Sequence, residues 1–303
     1  MYRAYFGLRE PPFGITPDTS FIFACAAHQE ALNTLLVAVK SGEGFIKITG
    51  EVGTGKTLLC RRFLATLGNS CVSAYIPNPY LDPRSLLLAL ADELGTPLNL
   101  GTPLKKDADQ HQLLKSLTLA LLGFARQGKQ VVICLDEAQT MPLESLEALR
   151  LLTNLETEKR KLVQVVLFGQ PELDKKLAQP SVRQLRQRIT FQYHLGALAK
   201  NELDHYLTHR LNVAGYRGNR MFTAPAIRLM HRLSGGIPRL VNILAHKTLL
   251  LVYGEGEHQV LPRHVRAAAA DTPSVRSILH PVWWFAFAML MISVGGVIWK
   301  FLQ

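Results

Sequence analysis

Short apolar runs alternate along this chain with stretches in which apolar positions recur every three or four residues. The runs at 45–49, 71–76, 131–135 and 162–168 are brief and mostly rich in β-branched residues, and they predict buried strands. Between them, residues 28–39, 84–94, 110–125 and 143–155 carry helical spacing, as do Leu58, Leu59, Phe63, Leu64 and Leu67 ahead of the stop at Gly68. Strands alternating with helices predict an α/β core, residues 41–195, with a mostly parallel sheet covered by helices on both faces. An N-terminal segment, 1–40, leads into it through the turn signals Pro11-Pro12-Phe13-Gly14 and Thr16-Pro17-Asp18. After about Leu195 the strand pattern stops. Residues 201–213, 224–233, 239–253 and 262–270 all read as helices, so a small all-helical domain, 196–270, follows the core, and a polar linker, 271–281, follows that.

The last apolar stretch has no polar face. Residues 282–299 contain no charge, and eighteen residues of helix span about 27 Å, enough for the hydrocarbon core of a bilayer. Trp283, Trp284 and Trp299 mark its two ends, as interfacial aromatics do. Arg263, Arg266 and Arg276 precede it and only Lys300 follows, a bias that predicts one transmembrane helix with the N-terminal body in the cytoplasm and a short tail, 300–303, outside. The opening residues, Met1-Tyr2-Arg3-Ala4-Tyr5-Phe6, have no signal-peptide core.

Composition adds less. The 303 residues are 48% hydrophobic, ample for a large core. Cys25, Cys60, Cys71 and Cys134 show no C-x-x-C spacing and read as buried thiols in a reducing compartment. The net charge of +11 admits an anionic lipid surface or nucleic acid as partner, and residues 200–271 alone hold ten Lys/Arg against five Asp/Glu.

Two segments carry chemistry. Gly50-Glu51-Val52-Gly53-Thr54-Gly55-Lys56-Thr57 fits G-x-x-x-x-G-K-[ST] and sits between a predicted strand and a predicted helix, the setting of a phosphate-binding loop. Its glycines let backbone N–H groups close on phosphate oxygens, Lys56 reaches the β/γ-phosphates, and Thr57 binds Mg²⁺. Downstream, Val131-Val132-Ile133-Cys134-Leu135 ends abruptly in Asp136-Glu137, two carboxylates at the C-terminal tip of a buried strand, where open α/β sheets place their ligands. Asp136 is expected to support Mg²⁺ opposite Thr57, and Glu137 to activate the attacking water. No N-K-x-D motif is present to read guanine, so the expected nucleotide is ATP.

An α/β nucleotide core followed by a helical lid resembles the AAA+ ATPases. That resemblance implies a polar sensor at the tip of a neighbouring strand, for which Gln170, after Val165-Val166-Leu167-Phe168-Gly169, is the match. It implies an arginine finger supplied to a neighbouring subunit, for which Arg186 and Arg188 are both candidates ahead of Arg183. It implies a lid arginine that senses the γ-phosphate, placed at Arg239 by Gly235-Gly236-Ile237-Pro238-Arg239. Tyr5-Phe6-Gly7-Leu8, Pro12-Phe13, Pro17-Asp18, His28 with Ala31-Leu32, Asp136-Glu137-Ala138-Gln139 and Gly169-Gln170-Pro171-Glu172-Leu173 narrow the likeness to the ExeA-like (GspA-like) ATPases of bacterial envelope machines. Members of the secretion type continue past the membrane into a peptidoglycan-binding domain, whereas only Lys300 to Gln303 follow the span here. The chain is thus expected to be a short form, similar to the AAA+ proteins of mannose-sensitive haemagglutinin (type IV) pilus biogenesis. The resemblance implies ATP hydrolysis between subunits of a ring or dimer at the inner membrane, with a membrane partner that has periplasmic parts and with pilus or secretion components. A DNA-associated switch ATPase, like transposition and origin regulators, is the alternative.

Overall fold

The computed structural model describes residues 2–95, 110–157 and 160–275. They form two units, one of residues 17–196 and one that joins residues 2–16 to residues from 197 onward.

The larger unit is built on β1 (Phe45–Thr49), β2 (Cys71–Ile76), β3 (Gln130–Leu135), β6 (Val163–Gly169) and β7 (Ile189–His194), in the order β2-β3-β6-β1-β7 with every pairing parallel. Side chains alternate between the faces, as strand geometry dictates. Val131, Ile133, Leu135, Val163, Val165 and Leu167 enter one core with α4 (Pro83–Glu93), α5 (Gln110–Arg126), α6 (Leu143–Leu152), α7 (Glu172–Leu177) and α8 (Arg183–Gln187). Ile46, Ile48, Val132, Cys134, Val166 and Phe168 enter the other with α2 (Ala26–Lys40) and α3 (Lys56–Thr66). Both faces of the central strands are covered, which is why those strands read as nearly unbroken apolar runs. Cys25, Cys60 and Cys134 are buried and Cys71 is half-buried, none of them in a disulfide.

Three differences from the sequence reading have local causes. β7 is a full strand, where only the apolar run Ile189-Thr190-Phe191 stood out. As an edge strand it half-buries one face, so its signal is the weak alternation of Ile189, Phe191 and Tyr193. The helix expected to reach Leu155 ends at Leu152, where the N–H of Thr153 closes on the carbonyls of the last turn. The chain then enters a two-stranded hairpin of β4 (Glu156–Thr157) and β5 (Arg160–Lys161). The polar stretch read as a linker begins folded: Thr272 Oγ1 donates to the carbonyl of Ala268 at 2.7 Å, and Val275 is buried.

The helical unit comprises α9 (Glu202–Val213), α10 (Ala224–Ser234), α11 (Pro238–Gly254) and α12 (Pro262–Ala270), with α1 (Tyr2–Tyr5) and the segment after it packed among them. Phe6, Leu8 and Phe13 are buried in this unit, Phe13 edge-on to Phe222 at 5.9 Å between ring centres. Arg210, 6% exposed, gives its Nε hydrogen to the Pro12 carbonyl at 2.6 Å and contacts Tyr206 Oη and the Gly14 carbonyl. Asn242 bonds that same Gly14 carbonyl and accepts from Tyr206 Oη at 2.9 Å. Among the described residues no helix is long and apolar enough to cross a membrane. The expected span at 282–299, with Arg276 before it and Lys300 after it, lies outside the described residues.

Candidate functional site

Parallel register sets where the chemistry collects. Thr49 pairs with Gly169, and Leu135 pairs with Leu167 two residues before it, so β1, β3 and β6 end along one edge. The phosphate-binding loop leaves the first of these tips, Asp136-Glu137 the second and Gln170 the third. Three segments far apart in sequence meet because their strands are neighbours.

The loop wraps the start of α3, whose first N–H groups have no helical acceptor and can meet an anion. Two glycines are required there. A Cβ at Gly50 would lie 2.7 Å from the Leu195 carbonyl, and Gly55, at φ +97°, would push one to 2.7 Å from His28 Nε2. Thr54 Oγ1 closes the loop on the Glu51 carbonyl at 2.9 Å. Lys56, only 5% exposed, donates to the carbonyls of Gly50 at 2.7 Å and Glu51 at 3.0 Å. Burial lowers its pKa, against the pull of Glu137, Asp136 and Glu51. The result is a desolvated ammonium group held by neutral carbonyls, beside backbone donors, which suits an incoming polyanion.

Asp136 is 2% exposed, and Thr57 Oγ1 donates to its Oδ2 at 2.6 Å. Burial raises its pKa, with the Thr57 hydroxyl and the Glu137 N–H acting the other way. A hydroxyl and a carboxylate converging beside this loop form a hard-oxygen donor pair that would fit Mg²⁺. Tyr75, on the adjacent strand, brings its hydroxyl to 3.5 Å from Asp136 Oδ2, and burial pushes its own pKa up to about 12.

Glu137 is half-buried and has φ +53°, the one non-glycine positive φ among the described residues. The N–H and hydroxyl of Thr140 both bond its carbonyl, at 2.9 and 2.8 Å, and hold the turn. Its carboxylate Oε2 accepts from Gln170 Nε2 at 3.0 Å and from Gln139 Nε2 at 2.5 Å. Backbone strain of this kind gathers at functional sites and costs about 1–3 kcal/mol.

The arginines lie elsewhere. Arg186 is exposed in the last turn of α8, and Arg188 follows it, half-buried and bonded to Asn154 Oδ1. Both precede β7, whose Ile189 pairs with Phe45 at the start of β1. They therefore sit at the strand edge opposite the phosphate loop, and a five-residue strand spans about 16 Å. Arg183 starts the same helix and is exposed. Arg239 is exposed in the first turn of α11, in the other unit, after Gly235 and Gly236 at φ +60° and +73°. Sequence reasoning singled out neither Tyr75 nor the tie from Gln139 to Glu137 and Gln170. Tyr75 has no signal beyond its place in a strand, and Gln139 stood only as part of a motif.

A second cluster, Glu255, Glu257 and His264, has the composition of a metal site. Its hydrogen bonds argue otherwise. The Leu261 N–H donates to His264 Nδ1 at 3.0 Å, so Nε2 carries the hydrogen and gives it to Glu255 Oε2 at 3.1 Å. Arg263 pairs with both glutamates. The cluster is an ion-paired helix cap.

Residues 39–177 match the family described as AAA domain. The chain is 42% identical over 298 residues to General secretion pathway protein A of Aeromonas hydrophila, covering 98% of this chain and 52% of that protein. It thus spans about half the length of the curated relative it matches. Among solved structures it is similar to Cdc6p of Pyrobaculum aerophilum (TM-score 0.62, 16% identity, 84% of this chain and 70% of that one). It is also similar to the Aeropyrum pernix ORC2 protein (TM-score 0.59, 18% identity, 84% and 72%) and to the Thermotoga maritima RuvB Holliday junction branch migration motor (TM-score 0.53, 16% identity, 81% and 68%). These structural likenesses show the fold alone: an α/β P-loop AAA+ fold with a parallel sheet.

Proposed function

We propose that this chain, which belongs to the ExeA/GspA-like AAA+ ATPases, hydrolyses ATP at the edge shared by β1, β3 and β6. The observation that carries this is the convergence there of a buried ammonium, a hydroxyl–carboxylate pair and a second carboxylate held by a neutral amide. Lys56 and the loop N–H groups bind the β/γ-phosphates. Thr57 and Asp136 hold Mg²⁺, which when bound neutralises phosphate charge. Glu137 takes a proton from the attacking water, and Gln170 fixes its carboxylate. A neutral amide suits that task, because it donates to the carboxylate without neutralising it.

Arg186 or Arg188 serves the site of a second copy. Their place at the opposite end of the sheet from the loop of their own chain supports a ring or dimer in which nucleotide lies between subunits. Arg239 is the lid residue that reads the γ-phosphate, a role carried over from the family resemblance.

The ATPase works at the inner membrane, anchored by the apolar stretch 282–299 with its body in the cytoplasm. Its partners are a membrane protein with periplasmic parts and components of a secretion machine or type IV, mannose-sensitive-haemagglutinin-like, pilus. The support for this is the named relative of the general secretion pathway and the uncharged apolar stretch preceded by arginines.

The test is ATP binding and turnover in full-length protein. Lys56→Ala is expected to lose nucleotide binding, and Asp136→Ala to lose Mg²⁺-dependent turnover. Capture of a trapped, ATP-bound form from gently solubilised membranes, against Lys56→Ala, tests the machine: envelope components enriched only with ATP support it, and DNA-associated proteins alone would refute it.

A further inference from the structure

Gln139 joins two parts of the proposed site that the strands bring close without joining. Its side-chain amide lies between the β3 tip and the β6 tip and uses both of its ends. Nε2 donates to Glu137 Oε2 at 2.5 Å, and Oε1 accepts the Gln170 backbone N–H at 3.0 Å. The partners dictate which end is which: a carboxylate needs a donor, and an N–H needs an acceptor. Gln170 returns the link, its own Nε2 reaching the same Glu137 oxygen at 3.0 Å. Glu137, Gln139 and Gln170 thus close a ring of three hydrogen bonds, two of them on one carboxylate oxygen.

The surroundings leave Gln139 little freedom. A Cβ on Gly169 would come to 3.3 Å from Gln139 Oε1 and 2.7 Å from Leu173 Cδ2, so the approach of this amide depends on a residue without a side chain. From behind, Lys176 on α7 donates to the carbonyls of Gln139 and Met141, each at 2.5 Å, and burial lowers its pKa. The turn that carries Gln139 is thereby pinned to the helix that follows the sensor strand. Glu137 itself sits in a left-handed conformation on a turn, where its side chain has no strand to align it.

We infer that Gln139 is a positioning residue for hydrolysis: it fixes the Glu137 carboxylate by one oxygen, leaves Oε1 to face the attacking water, and couples that orientation to the backbone of Gln170. This rests on the reading of Glu137 as the base. A shift at the β6 tip, such as one accompanying phosphate release, moves Gln139 and reorients Glu137 with it. The side-chain bonds of Gln139 run to Glu137 and Gln170 and not to the loop of Lys56, so it acts on turnover and not on nucleotide affinity.

Full-length Gln139→Met keeps the side-chain length and removes both bonds. Gln139→Glu keeps the acceptor for the Gln170 N–H, loses the donor, and sets a second carboxylate beside Glu137. The expected result for each is a kcat lower by about 10- to 100-fold, the scale of a misplaced catalytic group, with KM for ATP and the affinity for a fluorescent ATP analogue within about twofold. Added to Glu137→Gln, Gln139→Met is expected to lower the residual rate no further, because both act through one carboxylate. A wild-type or raised kcat in Gln139→Met would overturn the inference. So would an equal loss in the two backgrounds, which would mark a structural effect. Glu137→Gln alone separates the failures: normal turnover there removes the base and this inference with it, whereas its loss beside a normal Gln139→Met sinks the inference alone.

Discussion

Both units bury charged side chains, and they treat them in opposite ways. In the helical unit, Arg210 is surrounded by fixed partners from Pro12, Gly14 and Tyr206, and Asn242 shares two of them. The effect is to bind residues 2–16 to the helices. In the sheet unit, Lys56 rests on two carbonyls of its own loop and Asp136 on the Thr57 hydroxyl and the Glu137 N–H, and burial disfavours the charged form of each. Buried charge that ties one segment of the chain to another is architecture. Buried charge on makeshift partners, at the tips of parallel strands, is a site waiting for a ligand of opposite sign.

That contrast is open to test, and the strongest test is Lys56→Ala. Burial lowers the Lys56 pKa in the folded state, so the native protein holds this proton less tightly than the unfolded chain does. Its charge therefore costs stability at neutral pH, and the cost fades as pH rises toward the ordinary lysine range. Lys56→Ala is expected to abolish nucleotide binding by calorimetry while leaving the melting temperature of the nucleotide-free protein no lower. A destabilised variant would place Lys56 with Arg210, and the distinction would collapse. Next in size, whichever of Arg186 and Arg188 is the finger is expected, as Ala, to lose about 10³-fold in turnover with nucleotide binding intact. Mixing that variant with Lys56→Ala should restore hydrolysis at mixed interfaces, because each supplies what the other lacks. No recovery would remove the trans assignment. Arg210→Ala is expected to cost about 2–3 kcal/mol in denaturant unfolding, because it strands the buried Pro12 carbonyl, and to leave the ATP affinity of the folded protein unchanged. At the small end, Tyr75→Phe is expected to change turnover by less than about twofold, since its hydroxyl stands 3.5 Å from Asp136 while Thr57 holds the same oxygen at 2.6 Å.

How much of this was legible in the chain followed from where the physics is local. The central strands and the loop were readable because burial on both faces makes an apolar run, and because phosphate binding needs glycines at fixed spacing. β1 and β2 run over the predicted residues, and Asp136-Glu137 follows β3 as expected. The edge strand β7 was readable only in part, since one solvated face halves its signal. The packing of residues 2–16 with the helices was not legible: it depends on Arg210 and Asn242, some two hundred positions away, and the aromatic cluster of Phe6, Leu8 and Phe13 admits several partners. The tie from Gln139 to Glu137 and Gln170 needs β3 and β6 as neighbours, which periodicity does not state. Arg186 and Arg188 were not separable by sequence, and the fold distinguishes their surroundings, one exposed and one tied to Asn154.

The most direct measurement is phosphate release by full-length Glu137→Gln beside the unaltered protein, with bound nucleotide analysed in the same samples. The predicted result is a rate lower by at least about 100-fold, with Mg²⁺-dependent ATP retained unhydrolysed on the variant. Release at the unaltered rate, or a variant that no longer holds ATP, would contradict Glu137 as the base at the shared strand edge.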